Sequence, residues 1–299
     1  MDSEQRLGLL FVTLSTLGYA FLPIIGREIY NVSDLLPTDV AFWRFVVATP
    51  VIWIMIQTRP TLRQVEHESR LQTIKLLLMG TLYSLSALGA FAALQTIDAN
   101  TFTVLFFTYP AMVAIIGFFL GVKLQRVAWM AIAMTLVGIY LTVPDLSWNT
   151  GDGVLVGVGI ALLTALAVAV YYQFIQTIMR DTKSTIRGTA WIITGTLISL
   201  ALVVPFFGLT SPPSLRAWLL LLALGTISSA FPIFLVNLAV KRLGATRTAI
   251  ISSSQPVFTL ILAPLFLNET SAPIQWLGAG FIIAAVISLE LRPRRKPAT

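Results

Sequence analysis

Apolar side chains run through this chain in stretches of about twenty residues, cut by short polar turns. About twenty is what one α-helix needs to cross a bilayer's hydrocarbon. Windows of that length predict ten spans, at residues 7–27, 38–57, 73–95, 99–119, 127–143, 153–178, 188–208, 215–240, 246–267 and 273–291. The tightest junctions are the polar turns Asp98–Asn100 and Lys241–Arg247. The ninth span contains Ser252, Ser253, Ser254, Gln255 and Pro256, four polar side chains and a helix breaker in apolar sequence. At 1.5 Å per residue the four polar positions lie about 9–14 Å into the span. Thr108, Tyr109 and Pro110 reach a comparable depth in the fourth span, from the other side.

The chain also matches itself. In "MGTLYSLSALGAFAALQTIDA" (79–99) and "LGTISSAFPIFLVNLAVKRLGA" (224–245), Gly80-Thr81 pairs with Gly225-Thr226 and Ser84 with Ser229. Ala99 pairs with Ala245 after a one-residue slip, and Pro110 then falls on Pro256. Spans three and four thus correspond to spans eight and nine. A copy of five spans is odd in number, so the second copy enters the membrane from the opposite face. The expected fold is an all-α integral membrane protein with halves 1–145 and 146–299 as a five-plus-five inverted repeat. Secondary transporters are built this way.

Composition agrees with a membrane solvent. Of 299 residues 57% are hydrophobic and 11% charged, against about 25% charged in soluble domains; mean hydropathy is +0.85. The net charge of +7 suggests nucleic acid at first sight, but the cations are dispersed over short loops, which argues against that partner. With the N-terminus inside, seventeen of the twenty Lys and Arg residues fall in cytoplasmic segments and only Arg27 and Arg216 outside. By the positive-inside rule both termini are cytoplasmic. Cysteine is absent and His67 is the lone histidine, so neither a disulfide, a metal site nor a cofactor is expected. The N-terminus "MDSEQRLGLLFV" is acidic and lacks a small-residue cleavage signal, so it reads as a retained span. The expectations are a multi-pass protein of the cell membrane, a bacterial inner membrane, with lipid and a small-molecule substrate as partners, as a monomer or weak homodimer.

Polar side chains at membrane depth face the bundle or a wet cavity. Candidate substrate contacts are Thr108 and Tyr109 from span four and Ser252, Ser253 and Gln255 from span nine. Tyr83 and Ser84 on span three, Ser229 and Asn237 on span eight, and the aromatics Tyr19 and Trp43 join them. Each serine alone also suits close packing or a bond back to its own helix; the pairing of "TYP" with "SSSQP" points to cavity lining. Tyr171 and Tyr172, taken as near the end of span six, read as an interfacial aromatic belt. Gly153, Gly157, Ala161, Ala165 and Ala169 give that span a smooth face for helix packing, and spans five and ten read as scaffold or a dimer contact. Arg44, the one charge well inside a span, either grips a carboxylate or phosphate or is a structural arginine. Pro23, Pro50, Pro110, Pro205, Pro232 and Pro256 are candidate bending points.

Span two, "DVAFWRFVVATPVI" (39–52), and the segment "PVFTLILAPLFLNETSAPIQWLGAGFIIAAVIS" (256–288) resemble the EamA-type transporters of the drug/metabolite transporter superfamily. Arg44, Asn268-Glu269, Gln275 and Gly278 stand at the family's positions; Lys123 departs, where a glutamate is usual. The resemblance covers almost the whole chain and implies a ten-helix transporter rather than an enzyme, nearest to the aromatic amino-acid exporters. The half-sized multidrug pumps that look related carry a glutamate in their first span; this chain has none there.

Glu28, Asp39, Asp98 and Glu290 all lie at span ends. That disfavours a proton relay through a buried acid and a lipophilic cation as substrate. Neutral or zwitterionic solutes, amino acids foremost, fit a cavity of hydroxyls, amides and aromatics. Three rivals remain. An anionic-metabolite carrier would find only Arg44 as a cavity cation, and a lipid-modifying enzyme would lack a nucleophile–base pair. A channel fits the paired halves poorly.

Overall fold

The computed structural model describes residues 3–58, 68–93, 96–97, 99–122, 125–142, 153–267 and 272–290. Outside them lie Asp98, the loop cations Arg59, Arg63, Lys123, Arg292, Arg294, Arg295 and Lys296, His67, the Asn268-Glu269 turn and the 145/146 boundary.

All regular structure among the described residues is helical. In order the helices are α1 (Ser3–Val32), α2 (Pro37–Gln57), α3 (Arg70–Ala93), α4 (Ala99–Phe106), α5 (Tyr109–Phe119), α6 (Arg126–Thr142) and α7 (Val154–Asp181). There follow α8 (Thr185–Val203), α9 (Leu215–Gly225), α10 (Phe231–Leu243), α11 (Ala245–Ser252), α12 (Gln255–Leu267) and α13 (Pro273–Glu290). Among the described residues eight stretches are long and apolar enough to cross a membrane; Arg126–Thr142 and Pro273–Ser288 are shorter apolar helices. Three of the eight, Phe102–Phe119, Leu215–Leu243 and Ala245–Phe266, are each assembled from two α-helices, and Thr185–Phe207 is α8 extended by a 3-10 turn.

Local chemistry sets the ends and the breaks. Pro37 opens α2, where a missing N–H costs nothing, and the Asp39 carboxylate accepts the Leu36 N–H at 2.9 Å. Gly244, at φ +88°, makes the one-residue turn between α10 and α11; only glycine takes that conformation without strain. Between α9 and α10 the chain widens into a π-turn, Thr226–Ala230, just before Pro232. The α4/α5 break falls at Phe107–Thr108, ahead of Pro110, and the α11/α12 break at Ser253–Ser254, ahead of Pro256. By contrast Pro23 and Pro50 sit inside continuous helices.

The helices pack in a defined set of pairs. The α1 helix lies against α9, α10 and α12; α3 lies against α7 and α8. The α2 helix meets α8 and α9, α7 meets α4 and α5, and α6 packs along α13. Backbones touch where glycine permits. A Cβ on Gly80 would overlap the Ile192 carbonyl oxygen of α8, and one on Gly225 would lie 2.7 Å from the Arg44 carbonyl oxygen of α2. Gly138 and Gly278 face each other across α6 and α13, where a Cβ on either would lie 2.7 or 2.5 Å from the other's carbonyl oxygen. The small face of α7 is likewise inside: Ala161, Ala165 and Ala169 are fully buried, and Gly157 abuts Thr96 and Ile97.

These contacts separate two glycines in a testable way. A Gly80→Ala substitution should destabilise by about 1–3 kcal/mol, as overpacking does, because its obstacle is rigid backbone. Gly26→Ala, with nothing within 4 Å of the new atom, should be neutral or stabilising. Thermal unfolding of the two variants in one detergent checks the order.

Candidate functional site

Six inner helices deliver polar side chains to one place. Tyr19 comes from α1, Tyr83 from α3, Tyr109 from α5, Tyr171 and Tyr172 from α7, Asn237 from α10 and Ser252 from α11. The hydroxyls of Tyr19 and Tyr83 lie 3.4 Å apart. The Tyr83 ring meets the Tyr171 ring edge-on, with centroids 5.5 Å apart; Tyr171 and Tyr172 are 6.2 Å apart, and Tyr172 and Tyr109 5.7 Å. These separations suit aromatic pairing. One line of rings thus joins the two halves of the sequence.

Hydrogen bonds hold the rings in place. The Tyr171 hydroxyl donates to Asn237 Oδ1 at 2.9 Å, and Asn237 Nδ2 donates to Thr189 Oγ1 on α8 at 3.1 Å. Tyr172 donates to Ser252 Oγ at 3.3 Å, and Tyr109 to the Ala249 carbonyl at 3.3 Å. Gln255 reaches the Tyr19 carbonyl with Nε2 at 3.4 Å. The grouping is polar and uncharged. It accepts and donates hydrogen bonds, stacks on flat or apolar surfaces, and has no fixed charge to hold an ion.

The twelve residues expected at the site divide into three sets. Tyr19, Tyr83, Tyr109, Asn237, Ser252 and Gln255 belong to the grouping just described. Ser84, Thr108, Ser229 and Ser253 turn their hydroxyls back along the chain, accepted by the carbonyls of Thr81, Leu105, Leu224 and Ala249. Ser253 does so at the edge of the grouping, since the Tyr109 hydroxyl reaches the same Ala249 carbonyl. Trp43 and Arg44 lie in the N-terminal part of α2. Trp43 donates Nε1 to the Thr210 carbonyl at 2.8 Å and packs edge-on to Trp218, centroids 5.2 Å apart, so it clasps α2 to the chain before α9.

The belt expectation for Tyr171 and Tyr172 is overturned. They are 3% and 7% exposed, in the largest core cluster. Their helix runs to Asp181, farther than the span inferred from hydropathy, so both lie deeper than their distance from a polar loop suggested. Thr189, which completes the Asn237 bonds, carried no signal in the sequence beyond being a hydroxyl in an apolar run.

Arg44 is 8% exposed, and its Nε has no hydrogen-bond partner among the described residues. Its guanidinium carbon stands 4.8 Å from the centroid of the Phe45 ring. A cation over a ring is worth about 0.5–2 kcal/mol, while an unpaired charge withdrawn from water costs several kcal/mol. The ring alone does not balance that cost.

The model of the EamA-like transporter family matches residues 6–143 and 155–290. The threonine/homoserine exporter RhtA of Escherichia coli (strain K12) is 26% identical over 209 residues, 69% of this chain and 67% of that protein. The exporter of the same name from Salmonella typhimurium (strain LT2) is 28% identical over 210 residues, 69% of this chain and 68% of that one. An uncharacterized transporter of Synechocystis is 23% identical over 315 residues, 97% of this chain and 95% of its own. A solved crystal structure superposes with a TM-score of 0.81 at 16% identity, covering 95% of this chain and 96% of that one; at that identity it shows the fold alone.

The Tyr171–Asn237 bond is open to a double-mutant cycle. Tyr171→Phe and Asn237→Leu should each destabilise. The pair should couple by about 0.5–1.5 kcal/mol, the range for hydrogen bonds between membrane helices, as read from unfolding midpoints. Strict additivity would show that the bond is not formed.

Proposed function

This chain belongs to the EamA-like transporter family and is a multi-pass membrane protein; from that premise we propose that it exports a small neutral or zwitterionic amino acid. The cluster of Tyr19, Tyr83, Tyr109, Tyr171, Tyr172, Asn237 and Ser252 is the substrate site, and access to it alternates between the two faces of a bacterial inner membrane. The observation that carries the reading is that this uncharged grouping is drawn from six helices, three from each half. A solute leaving water needs replacement hydrogen bonds, and neutral hydroxyls and amides supply them while releasing the solute again at low cost. The relatives named as threonine/homoserine exporters support the same substrate class.

The architecture proposed with it is ten spans in two inverted halves, residues 1–145 and 146–299, with both termini cytoplasmic. The packing pairs support that arrangement. Exchanging spans one to five with six to ten turns the α1–α10 contact into α7–α3, α3–α8 into α9–α2, and α1–α12 into α7–α5; each counterpart occurs. The α6–α13 and α2–α8 pairs map onto themselves. Pro110 and Pro256, at equivalent breaks, are the bending points proposed for the cycle. With no acid in the site, flux does not depend on a buried carboxylate relay.

The test is counterflow of labelled threonine, homoserine and phenylalanine in proteoliposomes, with an organic cation and a sugar phosphate as competitors. At least one amino acid should exchange. Tyr172→Ala should slow it about tenfold, a change of ~1.4 kcal/mol, with the protein still monodisperse. Exchange should also persist when the pH gradient is collapsed. Exchange of the cation alone, or flux that stops with the gradient, would refute the reading.

A further inference from the structure

Arg44 is the one cation set well within a predicted span, and the structure gives its buried Nε no acceptor. Asp39, five residues earlier, does not serve. Its two oxygens accept the backbone N–H groups of Leu36 at 2.9 Å and Thr210 at 3.1 Å, and the ion pairs among the described residues, Arg216–Glu28 and Arg242–Glu4, leave it apart from Arg44. The helix that touches α2 through Gly225 carries a second buried polar atom without a partner, Ser228 Oγ, in the π-turn. The position also matters. The guanidinium lies over the Phe45 ring at 4.8 Å, and that ring meets the Tyr83 ring at a centroid distance of 6.0 Å. Arg44 and Tyr83 thus both stand against the Phe45 ring. The buried Nε has no acceptor among the described residues, and a planar guanidinium fork matches the two oxygens of a carboxylate.

We propose that Arg44 is the carboxylate subsite of the transporter: it binds the carboxylate of the transported solute, while the adjoining tyrosine cluster takes the remainder of the molecule. The inference rests on the amino-acid reading above and adds to it that substrates must carry a carboxylate. Amides and esters of the same amino acids are discriminated against at this one side chain. Arginine is required rather than lysine, because a point charge lacks the fork.

The experiment compares threonine with threonine methyl ester, which keeps the ammonium and lacks the carboxylate. Binding is measured on the purified full chain in nanodiscs of uncharged lipid. Wild type should prefer threonine by about tenfold or more. Arg44→Gln should bring the ratio to about one, mainly through weaker threonine binding, and Arg44→Lys should keep only part of the preference. A wild-type ratio of one overturns the proposal, and that arm needs no variant to fold. So does an Arg44→Gln protein that retains the wild-type ratio. If the wild-type preference vanishes in discs containing phosphatidylglycerol, the anion on Arg44 is a lipid phosphate, and the solute-carboxylate assignment falls. Binding of neither threonine nor its ester would instead remove the amino-acid reading itself; binding of both at equal affinity removes only the role of Arg44.

Discussion

Hydrocarbon offers a polypeptide no hydrogen-bond partners, so every polar group at membrane depth must find its partner within the protein. That constraint is sharpest where a helix breaks. Proline cannot donate to the carbonyl one turn back, and both central breaks precede a proline. The two breaks share a local pattern. Thr108, two residues before Pro110, donates its hydroxyl to the Leu105 carbonyl at 2.6 Å; Ser254, two residues before Pro256, donates to the Ile251 carbonyl at 2.7 Å. Each hydroxyl thus joins its own backbone N–H on one carbonyl and closes the turn. Beside these turns Tyr109 bonds across to the Ala249 carbonyl, and Ser252 receives Tyr172.

The same demand shapes the packing. The α1 helix is fastened to the α9–α10 stretch at three levels: Glu28 pairs with Arg216, Ser15 donates to the Pro232 carbonyl at 2.8 Å, and Glu4 pairs with Arg242 at 3.1 Å. Its contact with α12 is looser, resting on Gln255 and Thr259 bonds of 3.4 and 3.5 Å to backbone carbonyls. Two of the residues that carry the family resemblance prove to be structural. Gln275 accepts the Ala272 N–H at 2.8 Å and donates to the Thr142 carbonyl at 3.2 Å, joining the start of α13 to the end of α6. Gly278 lets the same two helices touch backbone to backbone. The family signature in this stretch thus secures a helix pair and leaves the site to other residues.

Charge is sparse at the centre, and where it stands it is informative. Tyrosine, serine and asparagine exchange one neutral partner for another at modest cost. A buried guanidinium does not behave so. Arg44 is the exception among these residues, and it adjoins the cluster through a single phenylalanine.

The sequence by itself determined the solvent, the apolar helices and the two proline breaks, since twenty-residue apolar windows and helix breakers are local properties. It also pointed to polar side chains within spans, among them Tyr83, Tyr109 and Asn237, which the tertiary structure brings into one cluster. Only the tertiary structure decided which hydroxyls reach across and which bond back. Ser252 and Ser253 are adjacent and chemically identical, yet Ser252 receives Tyr172 while Ser253 donates to the Ala249 carbonyl that Tyr109 also reaches. It alone also drew Tyr171 and Tyr172 into the core, since hydropathy marks where an apolar run ends but not how far its helix continues. And it alone left Arg44 Nε without an acceptor among the described residues, while Asp39 spends its two oxygens on backbone N–H groups.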